Sequence, residues 1–118
     1  MLGAGEVDAT ALARPGAHQA LIEMLAAAFA QGATGLAADI AGYMLRPWGF
    51  EPVEVRAKTL LVYAAQDPVA GPRHGKWWQR HLPSARYEQS PTHGHLVALP
   101  AWSRVLSHLS PRQVRRQA

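Results

Sequence analysis

Two residues of this chain, Asp67 and His95, have the type and the sequence setting of an acid–base pair. Asp67 follows an apolar run at 60–65, which predicts a buried strand. His95 follows a weaker strand candidate at 85–89 and a turn at 91–94. Neighbouring parallel strands lie about 4.8 Å apart, so residues that follow two such strands meet at one edge of the sheet. The aspartate can then hold the imidazole in one tautomer while the ring takes a proton from a hydroxyl nucleophile and returns it to a leaving group.

The stretch 52–110 resembles the C-terminal segment of the α/β-hydrolase superfamily. That family has an acid after an apolar strand, a helix that ends in Leu-Pro, a short strand and a Gly-x-Gly-His turn. The chain has Leu82-Pro83 and His93-Gly94-His95 at the matching places. The resemblance implies that Asp67 is the acid and His95 the general base of a Ser-Asp-His triad. It also implies hydrolysis of a small-molecule substrate of the ester or amide type, without cofactor or metal.

Three positions depart from the family pattern: Ala64 replaces a glycine, Lys58 stands where proline is common, and His93 takes the place of a second glycine. A larger departure is the nucleophile, which the family carries in a Gly-x-Ser-x-Gly turn upstream of the acid. None of the serines of this chain has that setting: Ser84, Ser90, Ser103, Ser107 and Ser110. The chain is therefore expected to supply the C-terminal part of such a hydrolase and to be inactive in isolation.

Other residues could also do chemistry. His93 and His95 would face the same way on a strand, as metal ligands do, but no third ligand stands at the spacing of a metal site. Asp39 is an alternative acid, although it lies inside a predicted helix, where a place on the polar face explains it more simply. Trp77 and Trp78 could line a substrate pocket, but one packed and one exposed ring is the simpler explanation.

The elements after residue 50 alternate between strand and helix. A strand at 59–65, a helix at 72–82, a strand at 85–89 and a helix at 101–109 predict an α/β fold. This βαβα order requires a right-handed crossover and two parallel strands, as in a partial α/β-hydrolase fold. Because the first strand is apolar without alternation, we expect it to be buried on both faces.

The first part of the chain is predicted to be helical, and the boundary between it and the α/β part lies at about residue 50. Residues 1–16 predict a loop or a short broken helix, and apolar periodicity predicts helices at 17–31 and 34–45. By resemblance to the α/β-hydrolase superfamily, we expect a helical, cap-like region with a linker at 1–50 and a hydrolase core segment at 51–111. The basic tail at 112–118 is expected to be disordered.

Composition restricts the class of protein. With 118 residues, 48% of them hydrophobic and 17% charged, the chain should fold as one small domain. It has no apolar run of about 18 residues that would span a membrane, no signal-peptide pattern and no cysteine. These features favour a cytoplasmic location without membrane contact.

The charge is divided unevenly, with a balance of −4 over residues 1–55 and +8 over residues 56–118. The bases are scattered and accompany no nucleic-acid-binding motif, so no nucleic-acid partner is expected. An alternative to the hydrolase hypothesis is a small, basic, non-catalytic α/β module that binds a partner protein or an anionic surface. In either case the open edge of a two-stranded sheet would allow self-association.

Overall fold

The structure, a computed structural model, describes residues 5–110 of the chain. Within them lie five α-helices, two strands and two short 3-10 helices. In chain order these are a 3-10 helix (Glu6–Asp8), α1 (Ala9–Leu12), α2 (Ala17–Ala28), α3 (Thr34–Leu45), a 3-10 helix (Pro52–Glu54), β1 (Thr59–Ala64), α4 (Pro72–His81), β2 (Ala85–Ser90) and α5 (Ala98–Leu109). The tail at 112–118, predicted to be disordered, lies outside the described residues.

Strands β1 and β2 form a two-stranded parallel sheet, with Thr59 opposite Ala85 and Ala64 opposite Ser90. Since α4 connects the strands, the predicted α/β class and the parallel pairing are confirmed. Pairing continues past the strand ends, because the backbone N–H of Ala65 donates to the carbonyl of Ser90 with an N···O distance of 2.8 Å. The two loops that follow the strands therefore leave the sheet side by side.

Helices α4 and α5 cover opposite faces of the sheet. Tyr63 and Tyr87 stack with ring centroids 6.0 Å apart, and both rings lie against Gly75 of α4. Glu88 follows Tyr87 and points to the other face, because side chains alternate along a strand. On that face its carboxylate accepts hydrogen bonds of 2.6 to 3.0 Å from the guanidinium of Arg104 in α5.

The expectation that β1 is buried on both faces is wrong. Ala64 is fully buried, but every other residue of β1 is only half-buried. Burial of such a strand requires strands on both sides in addition to helices on both faces. Within residues 5–110, β1 has one neighbouring strand, so its other edge is uncovered.

Three helices differ in length from the sequence prediction, and α4, which ends at His81, differs by a single residue. Helix α2 ends at Ala28, and the chain then turns through Gly32, whose φ of +84° is in the left-handed region that favours glycine. Helix α5 begins at Ala98, before Pro100. Proline is tolerated there because the N–H groups of the first helical turn have no partner within the helix.

The first half of the described chain contributes little core. Helices α2 and α3 contain no buried residue. The connector after α3 is fixed by Trp48, which stacks on Trp78 of α4 at 5.2 Å and donates its indole N–H to the carbonyl of Tyr43. Within residues 5–110, none of the helices has the length and apolar character needed to cross a bilayer.

Candidate functional site

Asp67 lies in the tight turn that follows β1. Its Oδ1 accepts hydrogen bonds from the backbone N–H groups of Val69 (2.8 Å) and Ala70 (3.0 Å). Aspartate commonly closes such turns, because its short side chain reaches the backbone two and three residues ahead. These bonds hold the carboxylate in a fixed orientation, and only 6% of the side chain is exposed.

His95 lies in the loop that follows β2. This loop is tied to the one after β1, because the backbone N–H of Gln66 donates to the carbonyl of His93 (3.2 Å) and its side-chain amide donates to the carbonyl of Pro91 (3.3 Å). The His95 side chain is 32% exposed. The parallel register and these loop contacts place the histidine beside Asp67.

The two side chains that the sequence predicts to meet are in contact. Nδ1 of His95 lies 3.1 Å from Oδ1 and 3.0 Å from Oδ2 of Asp67. Because an ionised carboxylate only accepts hydrogen bonds, the proton of this contact belongs to Nδ1, and Nε2 is the nitrogen that can exchange a proton. The geometry is that of an imidazole oriented by an acid, with the basic nitrogen directed away from the acid.

The carboxyl of Asp67 is held in its ionised form. Burial acts to raise its pKa, but the hydrogen bonds from the N–H groups of Ala70 and Val69, followed by the contact with His95, outweigh it and lower the pKa below its usual value. Hydrogen bonds donated to a carboxylate favour the charged state in this way. Asp67 is therefore an anion that can stabilise a protonated His95.

Asp8 is a further site residue, although no pattern in the sequence predicts its role. Its side chain is 1% exposed. One carboxylate oxygen accepts the backbone N–H of His95 at 3.0 Å, and the other accepts that of Leu96 at 2.8 Å. The two partners lie more than 80 residues away in sequence, and Asp8 stands in a Gly- and Ala-rich segment without periodicity. No local pattern of the sequence signals this contact.

An apolar recess lies beside His95. It has a volume of about 250 Å³, and its walls come from α2, α5 and the loop before α5. Its lining consists of Ala17, Ala20, Leu21, Met24, His95, Leu96, Ala98 and Leu99. His95 is the one residue of this lining with a titratable side chain, so the recess can take an apolar group next to the imidazole.

The remaining candidates from the sequence do not join this pair. Nδ1 of His93 lies 2.5 Å from the hydroxyl oxygen of Ser90, and Asp39 is exposed on α3. Trp78 packs on the connector while Trp77 is 39% exposed, which agrees with the packing explanation. Within the described part of the chain, no group of three or more His, Cys, Asp or Glu side chains could hold a metal ion.

Compared with known proteins, the chain matches no family model, no curated protein and no solved structure.

Proposed function

We propose that this chain supplies the acid and the general base of a hydrolase of the α/β-hydrolase type. Asp67 is the acid and His95 the base of a Ser-Asp-His triad that acts on small-molecule esters or amides. The observation that carries the proposal is the contact of 3.0 Å between Asp67 and Nδ1 of His95 just beyond the carboxyl ends of two parallel strands. Binding and catalytic residues of open parallel sheets are typically found at that edge.

The proposed chemistry follows from the two ring nitrogens. With Nδ1–H donating to Asp67, Nε2 of His95 accepts the proton of a serine hydroxyl as its oxygen attacks the substrate carbonyl carbon. The imidazolium that forms is stabilised by the anionic carboxylate. It then gives the proton to the leaving alcohol or amine, and water hydrolyses the acyl-enzyme by the same route.

The serine nucleophile belongs to a part of the fold that residues 5–110 do not provide. None of the serines in the chain stands in a Gly-x-Ser-x-Gly turn, and the Ser90 hydroxyl is bound to His93 rather than to His95. The backbone donors that stabilise the developing oxyanion are associated with that turn as well. The proposal therefore assigns two of the three triad residues to this chain and predicts that the chain alone is inactive.

The recess beside His95 gives the proposal a substrate preference. Its walls are aliphatic side chains of α2 and α5, so an acyl or alkyl group gains by transfer from water into it. A volume of about 250 Å³ suits a small group rather than a long chain. We infer that the substrate has a compact apolar part next to its scissile ester or amide bond.

The experiment joins the chain to the polypeptide encoded directly upstream of Met1 in the same reading frame. We expect this stretch to contain a Gly-x-Ser-x-Gly turn and the joined protein to react with a serine-directed fluorophosphonate probe and to hydrolyse p-nitrophenyl esters. Both activities should be lost in H95A and strongly reduced in D67N, and they should persist in D39N, which removes an exposed carboxylate from α3. An upstream frame without the turn, or activity that survives H95A, would refute the proposal.

A second candidate function is the non-catalytic module that binds a partner protein. It is favoured by the large apolar side chains that the described residues leave exposed, among them Ile22, Met24, Ile40, Met44, Leu45 and Trp102. Under this hypothesis, neither H95A nor D67N affects binding of the partner. The fluorophosphonate experiment separates the two, because a binding module gives no His95-dependent labelling in any context.

A further inference from the structure

The carboxylate of Asp8 is buried. Among residues 5–110, no Lys, Arg or His nitrogen forms an ion pair with it. It instead accepts three backbone hydrogen bonds, from Gly5 and His95 at 3.0 Å each and from Leu96 at 2.8 Å. A buried carboxylate is costly unless it is hydrogen-bonded, so these three N–H groups are what keep it there.

The N–H groups of His95 and Leu96 belong to the turn that leads into α5. This turn precedes α5, which begins at Ala98, and Asp8 supplies the acceptor for both N–H groups from a segment more than 80 residues earlier in the chain. The contact is tight, because a Cβ added at Gly94 would lie 2.7 and 2.8 Å from the two carboxylate oxygens of Asp8. Only glycine at position 94 allows this approach.

We propose that Asp8 is a positioning residue for His95. The histidine is held at two points: Asp8 fixes its backbone N–H, and Asp67 fixes its ring at Nδ1. Two rotatable bonds separate these points, so anchoring the main chain limits the positions that the ring can take against Asp67. Partners that orient a functional imidazole contribute to its geometry in this way. The catalytic importance of this role rests on the function proposed above, but the role itself is a property of this chain.

The test uses the full chain labelled with ¹⁵N-histidine, and the His95 signals are assigned with H95A. In the wild type we expect His95 as the Nδ1–H tautomer, with a ring proton protected from exchange with solvent.

In D8N the amide has one acceptor oxygen and places an N–H₂ group against a backbone N–H. In G94A the new methyl group displaces the Asp8 carboxylate but keeps its charge. Both variants should lose the protected Nδ1 proton and populate both tautomers. The amide shifts of β1 and β2, which contain no histidine and are read from a second, uniformly ¹⁵N-labelled sample, should stay unchanged.

The matched control is D39N, which removes a carboxylate from an exposed position of α3 and should leave the His95 signals as they are in the wild type. If Asp8 only stabilised the start of α5, D8N and G94A would weaken α5 without altering the tautomer of His95. The Asp8 proposal is therefore overturned if D8N and G94A keep the Nδ1 proton and the single tautomer. If the wild type itself shows no protected Nδ1 proton, the Asp67–His95 pair fails, and with it the proposed function.

A measurement on the wild type covers the case in which the variants do not fold. Hydrogen exchange followed by mass spectrometry should show the amides of His95 and Leu96 exchanging at least about tenfold more slowly than that of Thr92, as expected for charge-assisted hydrogen bonds. Thr92 is exposed in the same loop. Equal exchange of these three amides would mean that Asp8 does not hold the loop, and would overturn the proposal.

Discussion

Gly75 of α4 lies so close to Tyr63 of β1 that a Cβ at position 75 would be 2.5 Å from Cδ2 of the tyrosine ring. The same Cβ would lie 2.5 Å from the ring of Tyr87 in β2. Gly75 is buried inside the helix, where glycine is otherwise unfavourable. The absence of a side chain therefore sets the distance between α4 and the sheet, and with it the crossover that brings Asp67 and His95 to one edge.

We accordingly expect G75A to destabilise the chain. Overpacking of a buried contact costs about 1–3 kcal/mol, which exceeds the roughly 1 kcal/mol that alanine gains over glycine in a helix. The free energy of unfolding, measured by urea denaturation at low protein concentration, should fall. The matched control is G42A in α3, where nothing lies within 4 Å of an added Cβ and the variant should be slightly stabilised. Equal effects of the two substitutions would show that α4 does not pack closely on the tyrosines.

Stability should decrease in acid because of Asp67 and Glu88. The hydrogen bond from Arg104 lowers the pKa of Glu88, against the opposing effect of burial, and the charges of Arg104 and Arg86 lower it further. Burial opposes the shift at Asp67 as well, but the bonds from Ala70 and Val69 and the contact with His95 lower its pKa.

A pKa that is lower in the folded than in the unfolded chain stabilises the fold above the unfolded value, and this contribution is lost as the pH falls through the folded value. With usual pKa values of 3.8 for Asp67 and 4.5 for Glu88, the loss should begin near pH 4.5 and continue below pH 3.8. Urea midpoints measured across this range should fall more gradually in E88Q and D67N than in the wild type. In D39N the slope should be unchanged, and a midpoint independent of pH in the wild type would contradict the prediction.

The local part of this site could be predicted from sequence. Asp67 and His95 each follow a strand that composition identifies, and the rule that parallel strands end at one edge then brings them together. The pair is therefore encoded by short patterns and by one topological rule. The alternation of strand and helix likewise determines the parallel pairing, because a helical crossover returns the chain in the same direction.

The contacts of Asp8 and Gly75 could not be predicted, because each depends on segments distant in sequence. No residue near Asp8 in the sequence indicates that its carboxylate accepts a hydrogen bond from the backbone N–H of His95, 87 residues later. At Gly75 a helical pattern predicts a helix but not how close that helix comes to the sheet. The burial of β1 could not be predicted either. An apolar run shows that a strand is suited to burial, but it does not show how many strands pair with it.

The isolated chain should hydrolyse p-nitrophenyl acetate no faster than an equal concentration of free imidazole. A general base without a nucleophile and an oxyanion site lacks the two groups that carry most of the rate enhancement in acyl transfer. Initial rates should increase linearly with ester concentration. The rate of H95A should be lower than that of the wild type by no more than the contribution of one ordinary histidine side chain. A saturable rate that disappears in H95A would reveal a nucleophile within this chain.

Exposed apolar surface should dominate the solution behaviour of the chain. Within residues 5–110, Ala11, Pro52 and Ala64 are the only residues with an apolar side chain that are buried. Many large apolar side chains on α2, α3, α5, just after α2 and on the connector after α3 are exposed, by 37% to 81%. Examples are Phe29, Leu45, Phe50, Trp102 and Leu109. Burial of apolar area is the main favourable contribution to folding, so this arrangement provides little of it.

We therefore expect a marginally stable chain that self-associates and binds a dye for exposed apolar surface. In the part of the chain that the structure describes, no strand pairs with the second edge of β1, so the N–H and C=O groups of that edge can pair with a second copy. Sedimentation should show a concentration-dependent mass, and dye fluorescence should rise on mixing with the native chain. K58P places a residue without an N–H just before β1 and should weaken association through that edge. K76P would break α4, and it serves only as a reference for the signal of the unfolded chain. A sharp, reversible melt from a monomer that binds no dye would show instead that these few buried residues suffice for an autonomous domain.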